Sequence, residues 1–565
     1  MKLYKKALLI MGVGLSLSSC LDLDPQDQLA DGNLWSTPSD FEYFANTFYG
    51  WTRDFKDVVS DGPHSDWRSD LMTSKSVNVY SHGNNAIPTS DDNYTKAYDH
   101  IRRTNILLEK AQGYGGSGSI AHYVAEAKFF RAYSYFDLLQ LYGDAIITTS
   151  PLDIDSPEMN AKRNDRSEVT DLIVRDLQEA AADLPETPDE EGRLTCWAAY
   201  AFLSRVALYE GTWQKFRNNE ERAHELLDIA AKAAREVIDG GKYELFKPAS
   251  LGTEAYRYLF ILEDVQCNPA GLTKSANKEY ILSRRHDEAL YPIGTNVTKG
   301  CLANTMYINR KFVNMYLTQN GLPIEKDTGN DGFQGYDDMD SEFENRDNRM
   351  ANCLLKPGQQ YWNNTSQNCR WGGSGKPMTC EPAGSGYMNQ KWATERLVND
   401  EYEGYDYPVI RYAEVLLNYA EAVYERDGQI SDEDLNLSLN ETRRRINPDM
   451  PALTNEFAGL YGLDLREEIR RERTVELYNE GFRIDDLKRW ATAEVEMPKD
   501  ILGVKYTGTE FEEEWADGKA VAKDADGCLI METGRSWGTK NYLLPIPADQ
   551  LQLNPNLGQN QGWEN

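Results

Sequence analysis

The chain has 565 residues, ample for a large core, and 91 acidic against 60 basic residues give it a net charge of -31 at pH 7. A surface this negative repels phosphate backbones, which speaks against nucleic acid as a partner and against adhesion to anionic lipid through basic patches. Eight cysteines with no C-x-x-C pair give no support to zinc ribbons or thioredoxin chemistry.

The N-terminus comes first. Lys2, Lys5 and Lys6 precede an apolar run from Ala7 to Leu17, too short to span a bilayer and of the length of a signal-peptide core. Leu17-Ser18-Ser19-Cys20 follows, small residues before a cysteine, as in a bacterial lipobox. The expected mature chain starts at Cys20, acylated and tethered to a membrane. No later segment holds 18 apolar residues in a row.

The next elements read as helices. Apolar residues recur every three or four positions from Ser167 to Leu184, with Ser167 the expected N-cap and Pro185 the stop. Glu220 to Asp239 repeats the pattern before Gly240-Gly241. His122 to Tyr142 and Trp197 to Tyr209 are apolar on several sides, and each holds an Ala-x-x-x-Phe step, Ala125–Phe129 and Ala198–Phe202. Such steps occur in tetratricopeptide helices, so a stacked helix-pair solenoid is expected. From about Tyr243 to Asp406 the chain turns rich in Gly, Pro, Asn and aromatics, which predicts short strands and long loops. Helices are predicted again over Pro408 to Arg426, Asp432 to Ile446 and Leu463 to Glu480, closed by Gly481.

Catalytic and metal motifs are sparse. The six histidines include no H-E-x-x-H, and no G-x-S-x-G elbow occurs. The run from Asp327 to Asp338 imitates a calcium loop but has Gly at position 3 and Asp at position 12, so it reads as a solvated turn. Glu472 and Glu476 share a helix face with arginines, which keep carboxylates ionised, whereas a glycosidase acid needs a raised pKa; this cluster reads as structural ion pairing. No metal or cofactor is expected. Cys353, Cys369 and Cys380 are close enough for one disulfide in an oxidising compartment, with no pairing assigned.

Several blocks in order carry a family likeness: Ser19-Cys20-Leu21-Asp22, Arg131 to Leu139, Leu141-Tyr142-Gly143, Leu203 to Tyr209, Arg411 to Ala422, Glu472-Arg473, Glu480 to Arg483, Asp486 to Trp490, and Pro545-Ile546-Pro547 with Asn554-Pro555. The sequence resembles the SusD-like (RagB/SusD) lipoproteins of Bacteroidetes. Asn348 departs from the pattern, since Arg346-Asp347-Asn348-Arg349 stands where the family has Arg-Asp-Pro-Arg. The resemblance implies a mostly α fold, tetratricopeptide-like helix pairs forming an α superhelix against an irregular, loop-rich lobe with a few short strands. It divides the chain into a signal peptide (1–19), an N-terminal helical region (20–242), a ligand-binding lobe (243–406) and a C-terminal helical region (407–565). It also implies lipidation at Cys20, display on the extracellular face of the outer membrane, a SusC-like TonB-dependent transporter as partner, an oligosaccharide or polysaccharide ligand, and no catalysis. Peptide capture by the same fold is the alternative, with a surface glycosidase behind it.

These blocks are scaffold, so the ligand site needs its own argument. A sugar stacks its C–H face on an exposed ring and sets its hydroxyls against amides and carboxylates. Loop aromatics beside polar groups are Trp67 and Tyr80, then Tyr361, Trp362 and Trp371, then Tyr387 and Trp392. These seven are the expected glycan contacts.

Overall fold

The computed structural model describes residues 34–564 apart from 189, 303–305, 359, 363–377, 380–381, 395 and 397–400. Cys20, Trp371, Cys369 and Cys380 therefore lie outside the described residues, and with them the lipidation site and any disulfide.

Among the described residues, nine of the helices carry the scaffold: α1 (Pro38–Asn46), α2 (Asp92–Gln112), α3 (Ala121–Tyr142), α4 (Arg166–Asp183), α5 (Cys196–Lys215), α6 (Glu220–Gly240), α7 (Tyr412–Asp427), α8 (Leu465–Glu476) and α9 (Arg483–Arg489). From α2 to α6 each helix packs on the next, and α7 then packs on α5, α6 and α8. The superhelix is thus interrupted by the middle of the chain and resumed by its C-terminal part. The two Ala-x-x-x-Phe steps meet in the core, where the Phe129 and Phe202 rings lie 5.3 Å apart.

Buried ion pairs clamp successive helices. Arg131 of α3 forks onto Asp176 of α4 at 2.7 and 2.8 Å. Arg166 of α4 donates to Glu210 of α5. Arg205 of α5 forks onto Glu414 of α7 at 2.6 Å on both arms, and Arg489 of α9 onto Glu421 of α7 at 2.5 and 2.7 Å. Planar guanidinium forks fix both distance and orientation between helices.

Four local expectations need correction. The Asp165 carboxylate, not Ser167, caps α4: it accepts from the Ser167 amide at 2.8 Å, while Glu168 accepts from the Asp165 amide. Residues Tyr407–Arg411, expected to open a helix at Pro408, form a wholly buried strand instead. The Asp432 to Ile446 helix breaks at Ser438, whose hydroxyl donates to the Asp434 carbonyl. α8 ends at Glu476 rather than Glu480, because Asp66 captures the Asn479 amide at 2.6 Å and turns the chain out of helix.

The strands are short and pair in twos, all antiparallel: β1 (Met72–Thr73) with β3 (Tyr307–Ile308), β2 (Tyr280–Arg284) with β8 (Tyr407–Arg411), β4 (Leu354–Leu355) with β7 (Met388–Asn389), β5 (Gln360–Trp362) with β6 (Met378–Thr379), and β9 (Ile501–Lys505) with β10 (Cys528–Glu532). The β1–β3 pairing carries the loop after α1 into the middle of the chain.

At the junction of scaffold and strands lies a buried charge network. Arg349 reaches Asp347, Glu472 and Glu476, while Arg411 reaches Glu279, Glu476 and Glu480. Lys391 donates to Glu480 at 2.6 Å. Burial alone would raise the Glu476 carboxyl, but Arg445, Arg411 and Arg349 outweigh it and hold it at about 2. Asn348, the departure from the family pattern, is the first residue of a short helix capped by Asp347, a position where proline is accommodated. Here its amide, which proline lacks, donates to Asn447 at 2.8 Å.

Candidate ligand-binding site

The loop from Asp61 to Tyr80 is held from below and open above. Asp66 is fully buried and accepts from the Asn479 and Arg483 amides at 2.6 and 3.3 Å; burial pushes its carboxyl up to about 7. Asp70 takes the Arg483 fork at 2.8 and 2.9 Å. Between these two anchors Trp67 is half-buried against the core, its amide donating to the Ser65 hydroxyl, and the Arg68 side chain is 11% exposed.

The upper side combines rings and polar groups. Arg68 lies 3.5 Å above the centre of the Tyr80 ring and donates to Asp61 at 2.6 Å. Asn78 donates to the same Asp61 oxygen at 2.8 Å, and its own side-chain oxygen accepts from the Tyr80 amide. The Asp61 side chain remains 49% exposed. Trp67 and Tyr80 are both half-buried. This arrangement sets half-buried rings, one of them covered on one face by Arg68, beside a carboxylate and an amide, the mix of apolar and polar groups that a polyhydroxylated ligand needs. Asp61 and Asn78 were missed by the sequence reading; Arg68-to-acid spacing in a Ser/Asp-rich loop was their only signal.

The other predicted contacts divide. Tyr361 and Trp362 belong to β5, which pairs with β6, and Trp371 lies outside the described residues. Tyr387 and Trp392 are corrected: they are core residues, 3% and 1% exposed. The Tyr387 hydroxyl donates to Glu342 at 2.9 Å, and the Trp392 indole donates to the Asn479 carbonyl at 2.9 Å and packs edge-on against Phe55 and Phe260. The reason is β7, which pairs with β4 and threads this Gly/Asn-rich stretch through the interior.

A second aromatic surface, absent from the sequence reading, lies at Tyr291. It is 50% exposed, stacks on His286 at 5.4 Å and accepts from Arg284 at 2.6 Å. It borders a groove of about 440 Å³ that Asn46, Glu190 and Arg193 also line.

Among the carboxyls raised by burial, Asp66 and Glu263 reach the highest values, and both are held by protein partners. Asp66 is locked to backbone amides, as above. Glu263, also pushed up to about 7 by burial, is held by Arg396 at 2.7 Å and by the Gly404 amide. Among the described residues no group of three or more His, Cys, Asp or Glu side chains is placed to hold a metal ion, and no helix is long and apolar enough to cross a membrane. In the Asp327 turn, the carboxylate accepts from Thr318 and Asn320.

The model of the SusD family matches residues 272–563, more than half of the chain. The chain belongs to the SusD family. A further family model, described as starch-binding associating with outer membrane, matches residues 27–208. Relatives of this SusD-family chain include a SusD-like protein of Bacteroides ovatus, 24% identical over 75% of this chain and 68% of that protein. The starch-binding protein SusD of Bacteroides thetaiotaomicron is 22% identical over 83% of this chain and 77% of that protein. The match to a SusD-like protein of Formosa agariphila is 28% identical but spans only 28% of this chain and 29% of that relative. A solved SusD-like carbohydrate binding protein from Bacteroides fragilis superposes with a TM-score of 0.71 at 23% identity, covering 93% of this chain and 100% of the other. A structure solved with a xylogluco-oligosaccharide superposes with a TM-score of 0.61 at 19% identity, covering 92% and 98%. At these identities the likeness carries the fold: a mostly helical, tetratricopeptide-like body with few short strands, as expected from the sequence. The Bacteroides thetaiotaomicron relative is named for starch binding and the Bacteroides fragilis structure for carbohydrate binding.

Proposed function

We propose that this SusD-family protein is a lipid-anchored glycan-binding protein of the outer membrane, holding an oligo- or polysaccharide on its extracellular face and passing it to a SusC-like TonB-dependent transporter without catalysis. The observation that carries the reading is the cluster of half-buried Trp67 and Tyr80 with Arg68 and the exposed Asp61, on a loop anchored by the buried Asp66 and Asp70. Tyr361, Trp362 and Trp371, all in the 243–406 segment proposed as the ligand lobe, are proposed as the further rings. Acylation at Cys20 supplies the tether: several acyl chains on one residue anchor stably, at about 0.8 kcal/mol per buried methylene.

The test is calorimetric titration of the mature chain against a panel of polysaccharides and against mixed peptides. The expected outcome is affinity for at least one glycan and no release of reducing sugar. Binding of peptides with no affinity for any glycan would replace the proposal with peptide capture.

A further inference from the structure

Between the short helix Arg310–Met315, α8 and α9 lies a recess of about 180 Å³. Lys311, Arg470, Arg471 and Arg483 line it, together with Glu467 and Glu496. Three of the four cations are occupied. Lys311 donates to Asp70 and Glu496, Arg483 forks onto Asp70, and Arg471 donates to Glu468 at 3.3 Å.

Arg470 is different. Its side chain is 11% exposed, and the carboxylate of Glu467 stands 3.7 Å from Nη1, beyond hydrogen-bond reach. Nε and Nη2 are buried with no hydrogen-bond partner, and so is the hydroxyl of Thr492 in the same wall. The rings of Phe216 and Trp490 lie 5.0 and 4.7 Å from the central guanidinium carbon. Ring faces answer the charge through cation–π attraction but cannot accept the N–H groups, which lie in the guanidinium plane. Burial also pulls Arg470 below the ordinary arginine range, since the surrounding carboxylates do not offset its loss of hydration. Buried donors left open cost free energy unless something accepts from them. The Nε–Nη2 edge is the one that grips an oxyanion through two parallel hydrogen bonds.

The geometry points to a small-oxyanion site: Arg470 and Thr492, flanked by Arg471 and Lys311, take one sulfate or carboxylate group. The recess holds about six times the liquid volume of a water molecule, which suits an oxyanion head group. That group comes either from a free anion or from a sulfate ester or uronate on a glycan. α9 links the recess to the Trp67 loop, since Arg483 both lines it and holds Asp66 and Asp70.

The test uses the mature chain, followed by thermal melting and calorimetry. It is titrated with sodium sulfate and sodium glucuronate, against glucose and against sodium chloride at matched ionic strength. Sulfate and glucuronate are expected to raise Tm with concentration, and glucose and chloride to leave it unmoved. Arg470→Lys keeps the charge but loses the fork, so it should weaken sulfate binding at least about tenfold; Thr492→Val should weaken it less. Tighter binding of a sulfated or uronate oligosaccharide than of the free anion assigns the group to a glycan, and equal affinity assigns it to a free anion. No response of the native chain to either anion, or a response unchanged in both variants, overturns the site. The anion measurement stands apart from neutral-glycan binding, so loss of either proposal leaves the other in place.

Discussion

Arg411 and Glu480, 69 residues apart in sequence, are joined by two hydrogen bonds of 2.7 Å in the core. The same guanidinium reaches Glu476 at 2.7 Å and Glu279 at 2.9 Å. Replacing it leaves three buried carboxylates short of a partner, and breaking a buried pair costs about 3–5 kcal/mol. Arg411→Met is expected to lower the unfolding free energy by that amount in a urea titration. Arg411→Lys should recover only part, since an ammonium cannot fork.

The pH profile of stability should have two limbs. Glu421, like Glu476, is held at about 2: burial would raise it, but Arg489, Arg473 and the Trp490 indole outweigh burial. A glutamate unfolds to a pKa of about 4.3, so this stabilisation is complete above that value and is lost as pH falls toward 2. Asp66 and Glu263 have the opposite sign. Raised to about 7 in the fold, they contribute fully below about 4 and lose that contribution as pH rises through about 7. Denaturation midpoints from pH 3 to 8 should peak at about pH 4. Glu476→Gln should flatten the acid limb, and Asp66→Asn the neutral one.

Two tryptophans separate binding from packing. Trp392→Ala opens a cavity in the core and should cost about 3–5 kcal/mol of stability. Trp67→Ala, on the loop, should weaken glycan affinity by about tenfold with a smaller loss of Tm. Calorimetry beside thermal melting reads both effects.

Gly481 sits at φ +78°, and a Cβ there would stand 3.0 Å from a Val58 methyl and 3.3 Å from the His64 carbonyl. Gly481→Ala combines a left-handed backbone with a close contact and should destabilise by about 1–3 kcal/mol.

Cys20→Ser removes the proposed acylation site. The variant should leave the membrane fraction, and native protein on intact cells should be cut by added protease. Equal membrane retention of variant and native chain would end the tether reading.

The helices were legible because their periodicity is local: the apolar positions of α4 and α6 face the core as read. The charged residues of the recognised blocks were equally informative, since Arg131, Arg205, Glu414, Arg411, Glu480 and Arg489 prove to be ion-pair partners. The reading of Glu472 and Glu476 as structural ion pairing also agrees with their placement around Arg349.

The aromatic residues of the middle were not legible in the same way. Tyr387 and Trp392 share their Gly/Asn-rich surroundings with true surface loops, and only the pairing of β7 with a strand more than thirty residues earlier decides their burial. Composition reports the neighbours of a ring in sequence, while exposure depends on its neighbours in space. Tyr407–Arg411 failed for a related reason: a short buried strand running straight into a helix has no period of its own.

The position of Glu472, Glu476 and Glu480 near the end of the chain sets a timetable for synthesis. A nascent polypeptide emerging from the ribosome, or from a translocation channel, exposes Arg349, Arg411 and Arg445 well before any of these acids arrives. Until residue 480 is out, Asp347 and Glu279 are the partners these guanidinium groups have, and burying three arginines against two carboxylates is costly. The final collapse of the middle of the molecule is therefore late, and a chain truncated before Leu465 leaves Arg349 with Asp347 alone and Arg411 and Arg445 sharing Glu279.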